Sequence, residues 1–214
     1  MKAVLFDLDG TLIDSAPQLV GALNQLRQKY DLPPIPFFKG RPFASHGAAG
    51  LLKAGFDIDK NNPLFDLRIG EFLEIYREIF NQDVKCMNGV ETLIQNLNHK
   101  KISWGIVTNK SSKFSVPIVM AHPLLKFAQC LISGDDVYNP KPSPEGLMKA
   151  ASMLSIEPSE IIYLGDDRRD VIAANDAGMT SVIARYGYLE VDDDGKKWNA
   201  RHIIDKPIDL LNYL

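Results

Sequence analysis

The chain has 214 residues, 45% of them hydrophobic and 24% charged, with a formal net charge of −3. This is the composition of a globular protein long enough to bury a core, and its acidic balance leaves no basic surplus for neutralising a nucleic-acid backbone. Cys86 and Cys130 are too few for a disulfide framework, and the first apolar run meets Asp7 too early for a signal peptide or a membrane span, so the expected setting is the reducing cytoplasm.

Ala3-Val4-Leu5-Phe6 predicts a buried strand that stops on Asp7-Leu8-Asp9-Gly10-Thr11. Alternation along a strand puts Asp7 and Asp9 on one face. Two such carboxylates repel and need a cation, a shared proton or donated hydrogen bonds. Gly10 lets the chain turn sharply, and Thr11 adds a hydroxyl. Alone, the stretch reads either as the floor of a metal and anion site or as a solvated Asp-Gly turn.

Ser15 and Gln18 predict a capping box, with Pro17 in the tolerant first turn. Leu19, Leu23, Leu26 and Tyr30 continue that helix at its period, and Leu32-Pro33-Pro34-Ile35-Pro36 stops it. A loop with Arg41, Ser45, His46 and Gly47 leads into a short helix through Leu51 and Leu52. Pro63 opens a longer helix whose apolar set includes Phe65, Ile69, Phe72, Tyr76 and Phe80. No strand is predicted between Ser15 and Asn81.

After Met87-Asn88-Gly89 the pattern changes to alternating helix and strand. Helices are predicted at Val90–Leu97, Phe114–Met120 (despite Pro117), after Ser143-Pro144, from Arg169 to Ala177 and from Pro207. Strands are predicted at Ile102–Val107, Cys130–Ser133, Ile161–Leu164, Ser181–Ala184 and Ile203–Ile204. Near-continuous apolar strands point to an α/β, Rossmann-like doubly wound parallel sheet covered on both faces. The first strand has no other partners and must join that sheet. The expected organisation is therefore a core of residues 1–14 and 89–214 with an all-helical insertion at 15–88.

In such sheets ligands bind at the carboxyl ends of the strands. Asp7 and Asp9, Thr108 and Asn109, Lys141, and Asp166, Asp167 and Asp170 all fall there. Each has a bland reading: a helix cap for Thr108-Asn109, a solvated loop lysine, a helix N-terminus complemented by acids. Their joint position at one sheet edge argues for a site.

Asp7-Leu8-Asp9-Gly10-Thr11, Thr108, Lys141 and Gly165-Asp166-Asp167-Arg168-Arg169-Asp170 match, in order, the four motifs of the haloacid dehalogenase superfamily, which the chain resembles over essentially its whole length. The helical insertion resembles the cap of the phosphoglycolate phosphatase-like branch. Ala184-Arg185-Tyr186-Gly187-Tyr188, Trp198 and the segment Trp104–Lys110 are similar to bacterial phosphoglycolate phosphatases and N-acetylmuramic acid 6-phosphate phosphatases, without separating the two.

The resemblance implies a phosphate monoester hydrolase. Asp7 would be the nucleophile that forms an aspartyl-phosphate, and Asp9 the general acid and then base. Mg²⁺ would bind Asp7, Asp9 through its backbone carbonyl, and Asp166. Thr108, Asn109 and Lys141 would bind the phosphoryl group, with Asp170 and Asp167 supporting from behind. Arg41, Ser45 and His46 are the candidate contacts to the leaving group, Arg41 as a clamp on a carboxylate. Lys39 and Lys53 read as surface lysines, against phosphonatase chemistry. Asp167 stands where the fourth motif often has Ser, Thr or Asn, which leaves the ligand open between Asp166 and Asp167. A phosphoglycolate phosphatase-like activity is expected. The alternatives are a sugar-phosphate phosphatase, a phosphomutase and a non-catalytic phosphate-binding module. The expected partner is a small phosphorylated metabolite, with no nucleic acid and no membrane, and the chain is expected to be a monomer or homodimer.

Overall fold

The structure is a computed structural model and describes residues 1–189, 193 and 195–214. The chain divides into two compact units, Met1–Ile13 with Cys86–Leu214 and Asp14–Lys85. The first strand is β1 (Ala3–Phe6), followed by the two-residue β2 (Ile13–Asp14). The second unit holds α1 (Ala16–Lys29), α2 (Phe37–Gly40), a 3-10 helix (Arg41–His46), α3 (Gly47–Phe56) and α4 (Phe65–Ile79). β3 (Lys85–Cys86) pairs with β2 where the chain re-enters the first unit. That unit continues with α5 (Val90–His99), β4 (Ser103–Val107), α6 (Ser112–Ala121), β5 (Leu131–Ile132) and α7 (Glu145–Leu154). It closes with β6 (Ile161–Gly165), α8 (Arg168–Asp176), β7 (Thr180–Ala184), β8 (His202–Ile204) and a 3-10 helix (Pro207–Tyr213). Among the described residues no helix is long and apolar enough to cross a membrane.

The first unit is a six-stranded sheet in the order β5-β4-β1-β6-β7-β8, parallel at every pairing. β1 lies inside it, with Ala3 opposite Ser103 on one side and Ile161 on the other. Every residue of β1 and β6 is buried, as expected for strands covered on both faces. Ala3, Leu5, Tyr163, Val107 and Ile132 face one way and pack with Leu147, Ala150, Ala173 and Ala174 of α7 and α8. Alternation turns Val4 and Phe6 to the opposite face. The small alanines on α7 and α8 let both helices lie close to the sheet, so the loops between strand and helix start from a fixed floor.

In the helical unit α1 packs against α3 and α4. Leu19, Leu23, Leu26, Leu51, Leu52, Phe72 and Tyr76 are all buried, the stripe their spacing predicts. Asn24 fixes the Pro-rich turn after α1: its Nδ2 donates to the Ile35 carbonyl at 3.1 Å, and its Oδ1 accepts from Ile35 N–H at 2.9 Å. Glu71 gathers Lys29 (2.6 Å), the Tyr30 hydroxyl (2.8 Å) and Arg68 (2.9 Å).

Three expectations need correction. Ser15 makes no side-chain capping bond, because its backbone is already helical (φ −95°, ψ −1°) rather than extended as a cap requires. The stretch Arg41–His46 is a 3-10 helix, not a loop; Pro42 fits at its first turn because no N–H is needed there. The closing segment from Pro207 is likewise 3-10.

The central place of β1 yields a stability prediction. Leu5→Ala in the fully buried strand should destabilise the protein by about 2–5 kcal/mol, read as a lower urea midpoint at unchanged slope.

Candidate active site

The strand order reverses about β1, whose neighbours β4 and β6 send their chains to opposite sides. A crevice forms at the carboxyl ends of strands at such a point. Five segments reach it: Asp7–Thr11 after β1, Thr108–Lys110 after β4, the loop holding Lys141, Asp166–Asp170 after β6, and Tyr186–Tyr188 after β7.

Lys141 is the centre of the arrangement, although only 7% of it is exposed. Its Nζ lies 2.7 Å from Asp7 Oδ1, 2.7 Å from Asp170 Oδ1, 2.8 Å from the Tyr163 hydroxyl oxygen and 3.2 Å from the Val107 carbonyl. Tyr163 donates its own proton to Val107 O at 2.8 Å, so its lone pairs face the ammonium. Burial pulls the Lys141 pKa down, but the Asp170 and Asp7 carboxylates outweigh it and hold the net value above the ordinary one. Lys141 is therefore a fixed cation. Its backbone is clamped by Asn109, whose Nδ2 donates to Lys141 O at 2.8 Å and whose Oδ1 accepts from Lys141 N–H at 2.9 Å. The amide of Asn109, expected at the phosphoryl group, thus holds the Lys141 loop on both its polar atoms.

Asp166 and Asp167 have different work. Asp166 is 2% exposed and accepts from the Thr11 hydroxyl at 2.9 Å and from Tyr188 N–H at 2.9 Å. A side chain on Gly10 or on Gly187 would run into its carboxylate, and Gly10 is also at φ +83°. Asp167 caps α8: it accepts from Arg169 N–H at 2.8 Å and pairs with the Arg169 guanidinium, while Asp170 Oδ2 returns to Asp167 N–H at 3.0 Å. The capping box accounts for the extra acid in the fourth motif.

Asp9 stands apart from Asp7 despite their shared strand parity. Lys110 Nζ lies 3.0 and 3.1 Å from its two carboxylate oxygens. Thr108 is buried and its hydroxyl oxygen accepts from Lys110 N–H at 3.1 Å, which leaves its proton to donate. Arg41 and Ser45 lie half-buried, and His46 exposed, on the 3-10 helix of the other unit. The sequence reading overlooked Lys110 and Tyr163. Tyr163 carried a signal, since a tyrosine in the middle of an aliphatic strand must find a partner for its hydroxyl.

Asp7, Asp166 and Asp170 converge closely enough for one oxygen of each to share a cation. The Asp7 pKa is raised to about 7, chiefly by burial, with Lys141 pulling against that rise and Asp170 and Asp9 adding to it. Burial, then Asp7 and Asp170, push Asp166 well above the usual carboxylate range. One ammonium among three acids leaves negative charge uncompensated. Both Asp170 oxygens are occupied, by Lys141 and by Asp167 N–H. An all-oxygen donor set of three convergent acids fits Mg²⁺. The Asp9 carboxylate, held by Lys110, lies outside that cluster. Among the described residues one other group could hold a metal, Cys86, Glu91 and His122.

Residues 4–184 match the family model of haloacid dehalogenase-like hydrolases. A Pseudomonas aeruginosa protein named N-acetylmuramic acid 6-phosphate phosphatase is 35% identical over 214 residues, covering 100% of this chain and 95% of the relative. A Xanthomonas campestris pv. campestris protein named phosphoglycolate phosphatase is 35% identical over 209 residues, covering 98% and 94%. The crystal structure of a predicted phosphoglycolate phosphatase from Haemophilus somnus superposes with a TM-score of 0.85 at 24% identity, covering 100% of this chain and 97% of that one.

Raised carboxylate pKa values stabilise the metal-free protein below the unfolded value near 3.8, and that contribution is lost as pH climbs through about 7. The melting temperature without metal should therefore fall between pH 5 and pH 8, with a shallower fall in Asp166→Asn. Added Mg²⁺ should raise it more at pH 8 than at pH 5, because binding displaces protons. Thermal-shift titrations at both pH values check this.

Proposed function

The chain belongs to the haloacid dehalogenase-like hydrolase family and is one of its phosphatases, and on that premise we propose that it cleaves small phosphate monoesters through an aspartyl-phosphate on Asp7, with 2-phosphoglycolate as its substrate. The observation that carries the reading is the buried Lys141 ammonium 2.7 Å from Asp7. It fixes one oxygen of that carboxylate and sets a permanent positive charge where phosphoryl oxygens gather negative charge.

In the first half-reaction an Asp7 oxygen bonds to phosphorus as the bond from phosphorus to the alcohol oxygen breaks. Asp9 passes a proton to that departing oxygen. In the second, water attacks phosphorus, its proton goes to Asp9, and phosphate leaves with Asp7 restored. Lys141 and the free proton of the Thr108 hydroxyl hold the phosphoryl oxygens. Asp170 and Tyr163 keep Lys141 in place, and Asn109 fixes the loop that carries it. Mg²⁺, held by Asp7 and Asp166 with the Asp9 backbone carbonyl, would supply further positive charge against the phosphoryl group. In the helical unit Arg41, Ser45 and His46 are the candidates for recognising the leaving group, and a short carboxylate suits the guanidinium of Arg41. The free thiols of Cys86 and Cys130 suit a reducing cytoplasm.

The Pseudomonas aeruginosa relative supports a second reading, in which the ester is an amino-sugar 6-phosphate. Phosphate release from a panel of esters with Mg²⁺ separates the two. The highest kcat/KM is expected for 2-phosphoglycolate. A higher value for N-acetylmuramic acid 6-phosphate would install the second reading, and isomerisation of a sugar phosphate without phosphate release would make the enzyme a mutase. Asp7→Asn should lower turnover by about 10⁴-fold or more with an unchanged circular dichroism spectrum. Arg41→Met should raise KM for 2-phosphoglycolate about tenfold and leave kcat nearly unchanged.

A further inference from the structure

Asp9 lies in the turn after β1, and the next residue, Gly10, is at positive φ. An isolated bridge to Ile13 holds its main chain, and the carboxyl is placed by what the side chain meets. The side chain is mostly buried, at 16% exposure, against a Lys110 side chain at 7%. Nζ reaches both carboxylate oxygens, at 3.0 and 3.1 Å. A charge-assisted hold on both oxygens restricts the carboxylate far more than one hydrogen bond does.

Lys110 is itself well anchored. Its N–H donates to the Thr108 hydroxyl at 3.1 Å, and its carbonyl accepts from Gly134 N–H at 3.0 Å. Asn109, before it, is tied to the Lys141 backbone. Ser111 and Ser112, after it, both bond to Asp135, at 3.0 and 2.7 Å. A mobile lysine would hold nothing still; this one extends from a loop fastened on both sides.

We propose that Lys110 is a positioning residue for the departure of the alcohol, fixing the Asp9 carboxyl where it meets the leaving oxygen. The proposal rests on Asp9 being the proton donor to that oxygen. As the Asp7 oxygen bonds to phosphorus and the ester bond breaks, the electron pair goes to the alcohol oxygen and the Asp9 proton joins it there. An alkyl alkoxide needs that proton. A p-nitrophenolate, stable as an anion near neutral pH, does not. Lys110 therefore matters in proportion to how poor the leaving group is.

The test compares kcat/KM for an alkyl phosphate, 2-phosphoglycolate or the best alkyl ester of the panel, with that for p-nitrophenyl phosphate. This parameter ends at alcohol departure, so later hydrolysis of the aspartyl-phosphate does not enter it. Lys110→Met should lose about 10²-fold on the alkyl ester, the scale of an ångström of misplacement, and little on the aryl ester. Lys110→Arg, which can still hold both oxygens, should recover most of the loss. Asp9→Asn calibrates the comparison and should show the same split at equal or greater size. Equal losses on both esters in Lys110→Met, or none, would overturn the proposal while Asp9→Asn still splits them. A gain on the alkyl ester would also overturn it, by making Lys110 a restraint on Asp9. If Asp9→Asn itself shows no split, the assignment of Asp9 falls and the proposal with it. An unchanged circular dichroism spectrum shows that each variant is folded.

Discussion

The ammonium of Lys141 is the interaction on which the first unit depends. Removing a charged nitrogen from water costs several kcal/mol even after relaxation. Here the cost is offset by two carboxylates within 2.7 Å, a tyrosine hydroxyl and a backbone carbonyl. The dependence is mutual. Without the ammonium, Asp7 and Asp170 would face each other in a buried site, and breaking a buried pair in that way costs about 3–5 kcal/mol. The same cation links its own loop to the turn after β1 and to the first turn of α8, so the chemistry and the packing of the sheet edge share one set of bonds.

Around that pair the remaining contacts follow. Asn109 sets the height of the Lys141 loop, and Asp167 starts α8 so that Asp170 turns back toward the lysine. Thr11 and Tyr188 N–H hold Asp166 from two sides. These side chains are held by hydrogen bonds within the protein, which limits the ordering left to be done at the site. Excess negative charge is the one feature left unbalanced, and it is the feature a divalent cation relieves.

The legible parts of the sequence were those with a period or a fixed order. The apolar run Ala3–Phe6 ending on Asp7, and the alternation of helix and strand after Gly89, suffice for a doubly wound sheet with β1 inside it. All six strands of that sheet lie where their apolar runs predict them. Lys141 was harder to judge. Between two prolines it looks like a solvated loop lysine, and its burial depends on Asp170 and Tyr163 arriving from α8 and β6. Lys110 was invisible for the same reason, since its partner Asp9 is distant in sequence. Asp167 and Asp166 are neighbours of one type, and only the direction of the helix start separates the cap from the inward carboxylate. Ser15 shows the opposite failure. Its motif was right for a capping box, but the chain enters α1 with that residue already helical.

The interrupted path of the chain also bears on how the protein forms. β1 is synthesised well before its partners, since the strands that flank it begin at Ser103 and Ile161. Its four buried residues must therefore wait, unpaired, while the contiguous stretch Asp14–Lys85 is made and can pack by itself. Pairings so distant along the chain form late because loop closure precedes any gain from contact. The nucleophile strand thus gains its first neighbour only with β4 and its second only with β6, after the whole sequence of the helical unit has been made.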